Sequence, residues 1–69
     1  MKNVTITTEY ITLGQLLKFV GIIANGGEAK AFLANAHVLV DGVEDNRRGR
    51  KLYPGMKVEI EGETFVIGA

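Results

Sequence analysis

Polar and apolar residues alternate over Asn3–Thr7, with Val4 and Ile6 on one side, so the chain is expected to open with a β-strand. The period then lengthens. Leu13, Leu16, Leu17 and Val20 fall at i, i+3, i+4 and i+7, the apolar stripe of a short helix. Thr12-Leu13-Gly14-Gln15 has the form of a capping box at its start, and Gly21 stands where a left-handed stop residue belongs. After a connection of four or five residues the same layout repeats. Asn25-Gly26-Gly27-Glu28 is a second box, and Ala29, Phe32, Leu33 and Ala36 form a second stripe. Neither helix is long enough to be stable alone, so each must pack on the other or on a sheet.

From Val38 the period becomes two. Val38-Leu39-Val40 runs into Asp41-Gly42, a hairpin signal, and Val43 begins the return. Leu52-Tyr53-Pro54-Gly55 reads as a turn, with Pro54 suited to the second and Gly55 to the third position of type II. Met56–Ile60 and Thr64–Ile67 are strands joined by a turn at Glu61-Gly62-Glu63. The order of strand, two helices and several short strands predicts a small α+β fold. Phe19, Phe32 and Phe65 are expected in its core.

A chain of 69 residues is expected to form one domain with a modest core, and 46% apolar content suffices for it. With no cysteine there is no disulfide framework and no thiol nucleophile, which suits a reducing cytoplasm. No apolar run approaches the ~20 residues that span a bilayer, and no membrane association is expected. MKNVTITTEY, with one lysine and alternating threonine, is not laid out as a signal peptide.

Charge changes the picture. Eight Lys and Arg balance eight Asp and Glu, yet Asn46-Arg47-Arg48-Gly49-Arg50-Lys51 holds half of the cations. Such a run is either a solvated loop or a local phosphate-binding patch; the position of charge, not its sum, sets the field. Arginine suits the second reading, because its planar fork pairs with two phosphate oxygens and stacks on a base. Gly49 is expected to let the backbone turn between cations, and Asn46 to cap the loop or donate to phosphate. Lys30, near the start of the second helix, would extend the patch. Gly26 and Gly27 each weaken that helix's first turn by about 1 kcal/mol relative to alanine, which suggests either a close approach to the backbone or a tight turn. Their N–H groups are candidate anion donors, for which Glu28 competes. Tyr53 beside the loop either stacks on a base or packs over the hairpin. His37, the single histidine, either makes a structural hydrogen bond or contacts a nucleic acid by stacking on a base or through a ribose hydroxyl. Asp41, Glu44 and Asp45 are expected to limit non-specific binding or to pair with the arginines.

These elements in this order resemble the S4 RNA-binding domain. The family pattern runs roughly Ser-Arg-x-Glu-Ala-x-x-x-Ile-x-x-Gly-x-Val-x-Val-Asn-Gly. Glu28-Ala29, Phe32-Leu33, His37-Val38, Val40 and Gly42 fall on it. Leu13, Leu16, Leu17 and Gly21 match the family's first helix, and LYPGMKVEI its Pro-Gly turn and following strand. The whole is similar to the small stand-alone bacterial members of the YaaA type, which carry the same arginine-rich loop. The resemblance implies an αL motif, two antiparallel helices on a small, mostly antiparallel curved sheet. It also implies that the start of the second helix and the nearby loops face structured RNA, such as ribosomal RNA, or a ribonucleoprotein. The chain departs from the pattern at Gly26 (arginine in the family), Ala36 (glycine), Asp41 (asparagine) and Thr12-Leu13-Gly14 (Arg-Leu-Asp).

No nucleophile and base pair, metal-ligand cluster, Gly-rich phosphate loop or paired carboxylates stand out, so no enzyme, metal or cofactor is expected. The expected function is a non-catalytic, monomeric, cytoplasmic RNA-binding module. Its site would comprise Gly26, Gly27, Lys30, His37, Asn46, Arg47, Arg48, Arg50, Lys51 and Tyr53. The alternative is an adaptor using the basic loop on an acidic protein. Four cations on four phosphates would give log K against log salt a slope of about −3 to −4, a small footprint.

Overall fold

In the computed structural model, which describes Met1–Ala69, the chain runs β1 (Lys2–Thr5), β2 (Ile11–Thr12), α1 (Leu13–Phe19), a 3-10 turn (Gly26–Glu28), α2 (Ala29–Asn35), β3 (Val38–Val40), β4 (Val43–Glu44), β5 (Lys51–Leu52), β6 (Lys57–Ile60) and β7 (Glu63–Gly68). The main sheet has the order β1-β7-β6-β3-β4. Only β1 and β7 pair in parallel, with Val4 opposite Ile67; the other ladders are antiparallel. Two helices on a mostly antiparallel sheet make the α+β fold expected from the sequence.

Alternation along the strands decides the buried face. Val38 and Val40 of β3, Val58 and Ile60 of β6, and Phe65 and Ile67 of β7 are all buried. They join Leu13, Leu16 and Leu17 of α1 and Ala29 and Leu33 of α2 in one apolar cluster. Both hairpins turn as their sequences require: Asp41-Gly42 and Glu61-Gly62 take positive φ at both central residues, the type that follows strand twist. Gly55 has φ 97° in the turn closed by Met56 N–H to Tyr53 C=O at 3.1 Å, as a type II turn demands.

Two expectations need correction. Phe19 is 66% exposed, because it falls between Leu17 and Val20 in the chain, about 100° around the helix from the apolar stripe they share. The helix connection runs Val20–Asn25, longer than the hydrophobic pattern suggested. Gly21 adopts φ 82°, and Ile22 and Ile23 N–H both turn back to Leu17 C=O, which returns the Ile23 side chain to the core. That return occupies the additional residues.

Candidate nucleic-acid interface

A short second ladder carries the basic loop to the helices. Strand β2 pairs with β5, setting Ile11 opposite Leu52 and Thr12 opposite Lys51. Residues 46–50 therefore arrive beside the start of α1. There Leu13 N–H donates to Arg50 C=O at 2.8 Å and Gly14 N–H to Arg48 C=O at 2.9 Å. Gln15 N–H donates to the Thr12 hydroxyl at 3.2 Å, while Thr12 N–H donates to Gln15 Oε1 at 2.8 Å. The orphan donors of the helix start are thus satisfied by its own capping box and by the loop's carbonyls. A freely solvated loop would not be tied in this way.

Arg48 lies directly on α1. A Cβ built on Gly14 would sit 2.7 Å from Arg48 Cγ, so the absent side chain makes room for the arginine stem. Beyond it opens a groove of about 540 Å³ lined by Thr12, Gly14, Gln15 and Lys18 of the first helical region, Gly26 and Ala29 of the second, and Arg48 and Gly49 of the loop. A second groove of about 360 Å³ is lined by Arg47, Gly49, Arg50, Lys51, Tyr53 and Met56. Gly49 lines both.

Carboxylates claim part of the charge. Asp45 Oδ1 accepts from Arg47 N–H at 3.0 Å, and Arg47 Nη2 donates to Asp45 Oδ2 at 2.8 Å. These bonds, side chain first and backbone second, hold the Asp45 carboxyl down at about 2, below its ordinary 3.8. The same carboxylate pushes the Arg47 guanidinium up. Arg50 Nε is buried and 3.8 Å from Asp45 Oδ2, beyond hydrogen-bond reach. The loop's side-chain cap is therefore Asp45, and Asn46 stays exposed outside both grooves.

The turn itself also differs from expectation. Arg50 N–H donates to Arg47 C=O at 3.1 Å, closing a β-turn with Gly49 in third position. Gly49 has no positive φ, so the turn does not use glycine's conformational freedom.

The structure gathers Gly26, Arg47, Arg48, Arg50, Lys51 and Tyr53 around the two grooves. Lys30 and His37 line neither. The His37 imidazole Nδ1 is 3.3 Å from Glu44 Oε2, and its backbone N–H donates to Glu61 Oε1 at 2.8 Å, tying α2's exit to the β6–β7 turn. Gly27 N–H is taken by Asn25 Oδ1 at 3.1 Å, and Glu28 Oε1 accepts from Ala24 and Asn25 N–H. Asp41 Oδ1 accepts from Lys57 N–H at 2.9 Å rather than pairing with an arginine. The sequence reading missed Lys18 and Tyr10. Lys18 sits one turn beyond Gly14 on α1, and only the loop's position puts it in the same groove as Arg48. Tyr10 stands 5.6 Å from the Tyr53 ring, with Lys51 Nζ 5.1 Å from the Tyr10 centroid. That cation–π contact holds the lysine over an aromatic pair. No group of three His, Cys, Asp or Glu side chains is placed to hold a metal, and no helix is long and apolar enough to cross a membrane.

Comparison with known proteins agrees with this architecture. A sequence model described as the S4 domain matches residues 4–68. A protein of Bacillus subtilis (strain 168), named a probable ribosome maturation protein, RlbA, is 59% identical over 59 residues, covering 86% of this chain and 83% of the relative. No solved structure matches the chain significantly.

Proposed function

The chain belongs to the S4 domain family, and from that premise we propose that it is a non-catalytic module that binds structured RNA, ribosomal RNA foremost, through the two grooves beside its basic loop. The observation that carries this reading is the seating of Arg48. Its stem crosses α1 at Gly14 and lines the same groove as Lys18 and Gly26, one from each helical region. Cations converge there from two elements distant in sequence, as phosphate recognition requires and a merely soluble loop does not. Arg50 and Lys51 add charge on the other side, where Tyr53 offers a ring face to an unpaired base.

The relative's name, a probable ribosome maturation protein, supports ribosomal RNA as the target and a cytoplasmic site of action. Neither groove unites a nucleophile, a base and an oxyanion donor, which favours binding over catalysis. The test is crosslinking in cells followed by sequencing of bound RNA, comparing the wild type with Arg48→Glu/Lys51→Glu, whose fold is verified by its melting curve. Recovery of ribosomal RNA by the wild type and its loss from the variant is the expected result. Equal recovery from both would turn the assignment to an adaptor for acidic proteins.

A further inference from the structure

Glycine costs a chain conformational entropy, so each one calls for a local reason. Gly21, Gly42, Gly55 and Gly62 have one in their positive φ, and Gly14 has one in the stem of Arg48. Gly26 and Gly49 have neither. Both lack a positive φ, and a Cβ on either would meet no heavy atom within 4 Å. Nothing in the folded chain excludes a side chain at these two positions, yet both are exposed on the wall of the groove that Arg48 and Lys18 line.

We infer that an RNA strand crosses the basic loop over Gly49, its backbone passing from the helix-side groove to the Tyr53-side groove, and that Gly26 and Gly49 are kept free of side chains to admit it. The inference rests on the RNA-binding reading and adds the path. Gly49 is the one residue lining both grooves, and it lies at the turn between Arg48 and Arg50. Successive phosphates then meet Arg48 and Lys18 on one side and Arg50 and Lys51 on the other. A Cβ at the crossing would hold the strand off both sets of cations, whose charge-assisted hydrogen bonds weaken steeply with distance.

The experiment sets stability against binding. Gly26→Ala, Gly49→Ala and Gly49→Val are compared with the wild type by thermal melting and by affinity for purified bacterial ribosomal RNA. Alanine suits both backbones, so melting temperatures are expected to hold or rise. Affinity is expected to fall about tenfold for Gly49→Ala, the size of one lost charged hydrogen bond, and further for valine. Unchanged affinity in the alanine and valine variants, with Arg48→Glu still losing RNA, would overturn the crossing and leave the RNA-binding reading standing. A wild type with no affinity for ribosomal RNA would overturn both. A glycine variant that lost binding only together with its melting temperature would assign Gly49 to the fold and overturn the inference as well.

Discussion

The Asp45 carboxylate accepts from both the backbone and the guanidinium of Arg47 and so removes one arginine from the free charge of the loop. Its pKa is depressed, so the interaction contributes to stability in full above the ordinary value of 3.8 and is lost as pH falls through about 2. Asp45→Asn is therefore expected to lower stability at neutral pH by about 1 kcal/mol, a figure reduced for the solvent around Arg47. The gap between variant and wild type should close as denaturation curves are taken from pH 4 down to about 2. The same substitution releases Arg47. If RNA reaches that side of the loop, the salt dependence of binding should steepen by about one unit. Arg48 has no such carboxylate partner and remains available to an anion in the groove.

Elements explain why the loop is ordered. The start of α1 receives two loop carbonyls and one threonine hydroxyl, so the helix and the basic turn stabilise each other. Thr12→Ala removes the hydroxyl acceptor and should cost about 1 kcal/mol in urea denaturation, with Thr12→Ser recovering most of it. The β2–β5 ladder contributes little pairing, but it decides where the cations go. Lys51 is opposite Thr12, one residue before the helix, so a register slip there would carry Arg48 off Gly14. α1 and α2 are each seven residues long and borrow their stability from the sheet.

At the scale of the molecule, net charge is zero, and binding must depend on the local field. Arg47 is engaged by Asp45, and Arg50 lies 3.8 Å from the same carboxylate. Lys18, Arg48 and Lys51 line the grooves without a carboxylate partner, so three to four cations remain for phosphate. A plot of log K against log salt is expected to slope at about −3 to −4. A slope near zero would mean that phosphate is not what these groups meet. Glu59, Glu61 and Glu63 lie around the β6–β7 hairpin and line neither groove, so their charge should disfavour RNA spreading beyond the grooves.

By itself the sequence determined the two helices, the longer strands and the turns, because their causes are local; β2 and β5, two residues each, are too short to show a period. Period 3.6 marked both helices, period two marked β3, β6 and β7, and Asp-Gly and Pro-Gly marked turns whose φ values only those residues accept readily. It also marked the basic loop as the candidate site, since four cations in six positions are visible without coordinates. Tertiary structure alone decided the geometry. Only the β2–β5 pairing brings residue 48 onto residue 14, only then does Lys18 join the candidate site, and only the backbone of Gly49, which has no positive φ, shows that its turn does not need a glycine. Periodicity reports which side of an element is buried. It carries no information about which exposed residues, far apart in the chain, will face the same solvent.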